Sequence, residues 1–216
     1  MFRSEEDYLK QIYELSVERG KELITIAELA ENFGYSDQSV NEKVKKLVGK
    51  EYVIFKRYKG ISLTEKGLNE ALRMVRAHRL WEVFLQKELQ FSWTHLHDDA
   101  EELEHSSSDK VIQSLYHYLG EPKYCTHGNP IPDLSGESAP IADKRLYDCR
   151  TGDIFILKRV LDHKELLDLL KELDIKIESK LVLKEKNDFA GQIYVEHNSK
   201  IKQLSPQIAK MLFTFS

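Results

Sequence analysis

Cysteine is scarce in this chain of 216 residues, with Cys125 and Cys149 the only two. A disulfide-stapled scaffold is excluded, and in a chain without an export signal the pair reads as free thiols or metal ligands. The N-terminus, Met-Phe-Arg-Ser-Glu-Glu-Asp, is acidic where a secretory leader needs a basic start, and unbroken aliphatic runs are as short as Ile154 to Leu157. Export by a visible signal and membrane spanning are therefore unsupported, and the expectation is a cytoplasmic protein with no membrane partner. Proline is confined, with four of five (Pro122, Pro130, Pro132 and Pro140) between 122 and 140. Internal repeats and low-complexity tracts are missing too. What is present is 41% hydrophobic and 31% charged residues. That excludes disordered and collagenous classes and supplies apolar material for one large core or two to three small ones.

The net charge of −4 becomes informative when it is divided along the chain. Residues 1–75 carry 13 Lys/Arg and 13 Asp/Glu, residues 76–142 carry 5 and 11, and residues 143–216 carry 14 and 12. The middle third is the acidic one. Within the first third, residues 43–66 hold eight cations (Lys43, Lys45, Lys46, Lys50, Lys56, Arg57, Lys59 and Lys66) against Glu51 and Glu65. A local basic patch thus stands beside an acidic segment.

Hydrophobic spacing predicts a helix over Glu5 to Arg19, with Tyr8, Leu9, Ile12, Tyr13 and Leu15 on one side. Thr25 and Glu28 form a capping-box pair that opens a second helix ending at Gly34. Ser36 caps a third, on which Val40, Val44, Leu47 and Val48 are expected to be buried and Asn41, Lys43, Lys45 and Lys46 exposed. Two short helices around a Gly-containing turn, the second with a basic outer face, form a helix-turn-helix pattern. The β-rich, basic stretch from Tyr52 to Leu63, with Gly60 near its turn, reads as a hairpin wing. Thr64 and Gly67 start another helix whose Leu80, Trp81, Val83, Phe84 and Leu85 are apolar on more than one face, which calls for a subunit interface.

Residues 94–119 predict two helices divided near Ser106 to Asp109, the second carrying Val111, Ile112, Leu115 and Leu119. The Pro/Gly stretch that follows reads as a linker or ordered loop. From about Lys144 the pattern changes to a strand at Ile154–Leu157, a helix from His163 to Leu173, alternation at Ile175, Ile177, Leu181 and Leu183, and a strand around Gln192–Val195. The expected fold is mainly α with an α+β tail. It comprises a winged helix-turn-helix at 1–75, a helical dimerisation and metal-binding region at 76–142, and a small SH3-like β-barrel at 143–216.

The sharpest chemical signal is His-Asp-Asp-Ala-Glu-Glu-Leu-Glu-His at 97–105. On a helix, Glu101, Glu104 and His105 stand at i, i+3 and i+4, so two carboxylates and an imidazole share a face. Five acids without a Lys or Arg among them repel one another, and a divalent cation relieves that repulsion. A solvated acidic helix is the alternative. His78 and Glu82 lie one helical turn apart, and Cys125 and His127 two positions apart in the loop. Each pair reads equally as packing, since a buried histidine or small thiol fills a core as readily as it binds a metal. Asp7 alone is an ordinary acidic helix start.

The segments at 4–13, 76–85 and 97–105, in this order around a winged helix, resemble the diphtheria-toxin-repressor family of metal-dependent transcriptional regulators. The resemblance covers the whole chain. The tail is similar to the SH3-like domain of its longer members, related to one named after an iron-transport accessory protein. The family's primary metal site falls on Asp7, Glu101, Glu104 and His105. Oxygen donors stand where the iron-responsive branch has Met and Cys, which favours Mn²⁺ and implies the manganese branch, with Fe²⁺ or Zn²⁺ as alternatives. The short manganese regulators carry a second acid on the first helix where this chain has Lys10, which argues against a binuclear cluster of their kind. The long, streptococcal-type manganese regulators share the Cys-x-His, and their second site maps onto Glu82, Cys125, His127 and Asp162. The resemblance allows His78 in either site, with the primary one expected, and leaves His97 beside them.

The implied function is a metal-dependent repressor that binds a palindromic double-stranded operator as a homodimer and controls metal-ion uptake genes. Apart from the resemblance, Ser36, Gln38, Ser39 and Asn41 suit base edges, while Lys43, Lys46, Arg57 and Lys59 suit phosphates. Three rivals remain: a winged-helix regulator of an organic ligand, a carboxylate-bridged metalloenzyme, and an adaptor built on the tail. The enzyme reading lacks a His-Glu-x-x-His motif and offers one Glu-x-x-His, Glu102 to His105, where a di-iron site needs two.

Overall fold

The computed structural model describes residues 2–187 and 189–216. Three helices open the chain: α1 (Arg3–Arg19), α2 (Ile26–Phe33) and α3 (Asp37–Gly49). Thr25 accepts a hydrogen bond from the Glu28 amide while Glu28 reaches back to the Thr25 amide, the reciprocal cap expected from sequence. Ser36 caps α3 through the Ser39 amide. Strands β1 (Val53–Lys56) and β2 (Gly60–Leu63) pair antiparallel as the wing, and Ile24 bridges to Ile61 beside them. Tyr8, Leu9, Ile12, Leu29, Val40, Val44, Leu47 and Ile61 form the core beneath. Val48 departs from expectation at 40% exposure, because it lies about 100° round the helix from the inward-facing Leu47.

The long helix α4 (Glu65–Lys87) starts at the Thr64 cap and contributes to three apolar clusters along its length, the last through Leu85 with Leu96 and Ala100. Ala71 packs into the first, and Ala77, Leu80 and Val83 into a second with Ile112, Leu115, Tyr116, Cys125 and Ile131. The expected boundary at 75/76 therefore falls inside one unbroken helix. Gly67 lets α4 start tightly against the wing, since a Cβ there would sit 1.9 Å from the Tyr52 carbonyl oxygen. Helices α5 (His97–Ser106) and α6 (Asp109–Tyr118) follow, and α4 is packed by both α1 and α5. The helical start expected at 94 is instead a turn before His97. Arg76 fastens the proline-rich segment to α4, donating to the Pro132 and Asp133 carbonyls.

The tail holds β3 (Lys144–Arg145), a 3-10 turn (Leu146–Asp148), β4 (Ile154–Ile156), β5 (Arg159–Val160), α7 (Lys164–Glu172), β6 (Lys180–Asn187), β7 (Gln192–His197), β8 (Lys200–Leu204), α8 (Pro206–Ala209) and β9 (Leu212–Thr214). Its antiparallel sheets run β3-β9-β5 and β4-β6-β7-β8, enclosing Phe155, Leu157, Leu166, Leu170, Leu181, Leu183, Ile193 and Val195. The α-rich front and the small β tail with an inserted helix match the expected fold. The alternation at Ile175 and Ile177 belongs to a turn, not to a strand, because β6 begins only at Lys180.

Candidate metal centres and nucleic-acid interface

Three helices bring the ligand-type side chains together. From α1 come Asp7 and Lys10, from α4 His78 and Glu82, and from α5 His97, Glu101, Glu104 and His105. Asp7, Glu101 and His105 each offer an atom within 4.8 Å of the others. His105 Nε2 lies 2.8 Å from Asp7 Oδ1, yet the two do not align as a hydrogen bond, and both are buried without a hydrogen-bond partner among the described residues. Leaving two such atoms unsatisfied costs free energy that a bound cation removes. The other ring nitrogen, Nδ1, faces Glu6 Oε2 at 2.8 Å, and Arg73 Nη2 donates to Glu6 Oε1 at 2.8 Å. With its proton on Nδ1, His105 turns an Nε2 lone pair towards Asp7, the way a carboxylate orients a metal-binding histidine. Burial pushes the Asp7 carboxyl above its ordinary range, against the pull of His105. Glu6 does not stand out in the sequence, where nothing local distinguishes it from Glu5.

Glu104 stands beside this group and is fully buried. Its Oε1 is 3.5 Å from His105 Nε2, Lys10 Nζ donates to both its oxygens at 2.7 and 2.9 Å, and His78 Nδ1 reaches Oε2 at 2.5 Å. Burial alone would raise the Glu104 carboxyl, but His78 and Lys10 outweigh it and hold it below its ordinary value.

On the far side of His78 a second set of donors collects. His78 Nε2 is 3.4 Å from Glu82 Oε1, His127 Nδ1 is 3.2 Å from the same oxygen, and His97 Nδ1 is 2.7 Å from Asp162 Oδ2. Two overlapping groupings result, His78, Glu82, His97 and Asp162, and Glu82, Cys125 and His127. Glu82 belongs to both. His97, left outside the expected ligand sets, faces Asp162 directly. His127 Nδ1 has no aligned hydrogen bond among the described residues, a third orphaned buried atom.

The loop carrying Cys125 and His127 is clamped to the tail, as Val160 donates its amide to the His127 carbonyl. Gly128, at φ +81°, passes so close that a Cβ would sit 1.9 Å from the Lys158 carbonyl oxygen. Burial and Lys10 would lower the His78 pKa, but Glu82 and Glu104 raise it to about 9. Burial opposes His127 similarly, and Glu82 and Cys125 lift it well above its usual value. Burial would raise Glu82, but His127 and His78 hold it well below. Protonated His78 and His127 thus face the Glu82 carboxylate from two sides and balance its charge.

The wing and α3 form the basic face. Gln38, Ser39, Lys46, Arg57 and Lys59 are exposed, and Asn41 is half-buried. Ser36 is occupied as the cap and donates its hydroxyl to Ser39 Oγ. Lys43 Nζ donates to Ser4 Oγ at 2.7 Å, which ties α3 to α1. At the wing tip the Arg57 guanidinium lies 4.7 Å from the ring centre of Tyr58, which is 89% exposed, an aromatic surface that the basic pattern of the wing sequence does not announce. Trp81, Phe84, Val111, Leu115 and Tyr118 line a shallow apolar groove of about 420 Å³.

Comparison with known proteins adds an independent line. The model "Iron dependent repressor, N-terminal DNA binding domain" matches residues 1–61, "Iron dependent repressor, metal binding and dimerisation domain" matches 64–133, and "FeoA domain" matches 144–214. A solved structure described as "Manganese-dependent transcriptional repressor complex with manganese" superposes with a TM-score of 0.89 at 33% identity, covering 98% of this chain and 99% of that one. The "HTH-type transcriptional regulator MntR" of Shouchella clausii is 37% identical over 112 residues, 52% of this chain and 76% of that protein. A "Probable metal transport system membrane protein" of Chlamydia trachomatis is 43% identical over 77 residues, 36% of this chain and 17% of its own length. Among the described residues, no helix is long and apolar enough to cross a membrane.

Proposed function

The chain belongs to the iron-dependent repressor family, the diphtheria-toxin-repressor group of metal-dependent transcriptional regulators, and from that premise we propose that its activating ion is Mn²⁺, held by Asp7, Glu101 and His105 with Glu104 as the adjoining carboxylate. It is a regulator and not an enzyme, and its DNA-binding and dimerisation domains imply operator DNA and a homodimer. The observation that carries the metal reading is the pair of orphaned buried atoms, Asp7 Oδ1 on α1 and His105 Nε2 on α5, 2.8 Å apart. Hard oxygen donors with one imidazole suit Mn²⁺ better than the softer late metals. The structure with manganese bound that resembles this chain supports the same choice.

The bound ion supplies positive charge and a bridge between two helices. Asp7 belongs to the helix on which the helix-turn-helix packs, and Glu101 and His105 to a helix packed on α4. When the charge is absent, Asp7 and Glu101 repel across the α1–α5 junction, while Glu104 stays paired with Lys10 and His78, and the hinge between DNA-binding and dimerisation regions loosens. When it is present, the two recognition helices of a dimer are held at the spacing of successive major grooves. We place the dimer contact on the groove at Trp81, Phe84, Val111 and Tyr118, because those side chains are apolar and uncovered in the single chain. Gln38, Ser39 and Asn41 read base edges of a palindromic site, and Lys46, Arg57 and Lys59 hold phosphates. The regulated genes in this reading serve metal-ion uptake. The second donor set, Glu82, Cys125, His127 and Asp162 with His78 and His97 adjoining, holds a further ion that joins loop, tail and helical core, and its thiolate admits Zn²⁺.

Equilibrium binding of Mn²⁺, Fe²⁺ and Zn²⁺ to wild type and Asp7→Ala tests the assignment. The reading expects Asp7→Ala to lose one Mn²⁺ per subunit, and an unchanged count with unchanged affinities would defeat it.

A further inference from the structure

Where the tail meets the last turns of α4, the two leave a cavity of about 470 Å³ between them. Its walls are apolar and aromatic: Val83 from α4, Trp93 from the segment before α5, Tyr124 from the proline-rich loop, and Ile175 and Ile177 from the turn after α7. These walls are fixed. Ile175 belongs to the tail core and Trp93 packs against it, while Tyr124 donates its hydroxyl to the Pro140 carbonyl and sets its ring edge-on to Phe215. Size, position at a domain junction and lining all match small-molecule sites, which run to roughly 300–1,000 Å³.

The charges around the cavity are uneven in sign. Lys87, Lys171 and Lys176 line it against one acid, Asp174. Lys171 Nζ donates to Ser92 Oγ at 3.3 Å, and none of the three lysines has a carboxylate within ion-pair distance among the described residues. Three ammonium groups beside apolar walls focus a positive potential on the cavity, in a chain whose net charge is −4. Thr126 also lines it, and Thr126 Oγ1 is buried without a hydrogen-bond partner among the described residues, which leaves a hydroxyl for a ligand to satisfy.

We propose that this cavity binds a small organic anion, its aromatic or branched apolar body between Trp93 and Ile177 and its carboxylate, sulfonate or phosphate head among Lys87, Lys171 and Lys176. Such a ligand touches α4, the loop and the tail at once and so fastens the tail to the helical core. Of the metal-type donor groupings, only Cys125 also lines the cavity, and the proposal does not depend on either metal reading.

The test uses anilinonaphthalene sulfonate, a ring-bearing anion that fluoresces when shielded from water, and the uncharged phenylnaphthylamine, with full-length protein in Mn²⁺. Wild type is expected to bind one sulfonate per subunit saturably and to melt higher in its presence, since a ligand that binds only the folded state stabilises it. Lys87→Ala/Lys171→Ala/Lys176→Ala should weaken the sulfonate by about tenfold, three solvent-touched ion pairs each contributing modestly, and leave the uncharged dye unchanged. Ile177→Trp narrows the cavity from a half-buried position and should weaken both dyes. If the triple variant does not fold, the three single substitutions decide by the same comparison. Sulfonate affinity unmoved by the lysine substitutions overturns the proposal, as does an uncharged dye bound by wild type as tightly as the sulfonate. Undiminished sulfonate binding by Ile177→Trp overturns it too, because the dye then sits elsewhere.

Discussion

Removing one partner of the Lys10–Glu104 pair should damage the metal-free protein far more than a single ion pair suggests. The side chains are 10% and 0% exposed, so Glu104→Leu strands an ammonium where water cannot reach, and Lys10→Met leaves the buried Glu104 carboxylate with His78 alone as its cationic partner. Breaking a buried pair in this way costs about 3–5 kcal/mol. For a chain of this size each kcal/mol lowers the melting temperature by roughly 2–4 °C, so each single variant should lose about 6–20 °C. The double variant Lys10→Met/Glu104→Leu strands neither charge and should recover most of the loss, because replacing both partners by apolar groups is often close to neutral. The Arg3–Glu102 pair supplies the control. It joins the same two helices at 2.8 Å, but its side chains are 46% and 70% exposed, and Glu102→Ala should leave the melting temperature unchanged within error. Thermal and urea unfolding in chelator, followed by helical circular dichroism, gives all the values. Single losses no larger than that of Glu102→Ala, or a double loss equal to the sum of the singles, would refute the reasoning.

At the DNA face, Arg57→Ala and Lys46→Ala should each weaken binding to all sequences and reduce the salt slope by roughly 0.9 for every phosphate no longer neutralised. Gln38→Ala should instead alter sequence preference, each base-edge hydrogen-bond pair removed costing about 1–3 kcal/mol, and competition with mutated operators reads the difference. At the second donor set, Cys125→Ser should lower metal affinity or stoichiometry and speed proteolysis after residue 140, because the Cys125–His127 loop is clamped to β5. It should weaken operator binding less than His105→Ala does. In the metal-free native protein both thiols should react slowly with a maleimide at neutral pH, since burial raises Cys125 and Cys149 above their ordinary values, and rapid labelling of both would contradict that packing.

Local signals were the legible ones. The caps at Thr25, Ser36 and Thr64 and the wing flanking Gly60 are written within a few residues, and the structure has each of them. Helical spacing predicted Glu101, Glu104 and His105 on one face of α5; Glu101 and His105 come close to Asp7, while Glu104 pairs with Lys10 and His78. What sequence could not supply was partnership across the chain. Lys10 meets Glu104 over 94 positions and His97 meets Asp162 from another domain, and nothing beside either residue announces the pairing. Val111, one of the apolar residues that mark α6 in the sequence, is 45% exposed and lines the apolar groove. Two-residue strands such as β3 and β5 have no alternation to read and exist only through β9.

The central claim is that a divalent ion at Asp7, Glu101 and His105 converts a weak DNA binder into a tight one. Operator affinity of the full-length protein, measured by fluorescence anisotropy at fixed ionic strength in chelator and in Mn²⁺, tests it most directly when His105→Ala is carried alongside. The account predicts tight operator binding by wild type in Mn²⁺ only, and equally weak binding by His105→Ala in both buffers. Wild-type protein that binds its operator as tightly in chelator as in Mn²⁺ would contradict it.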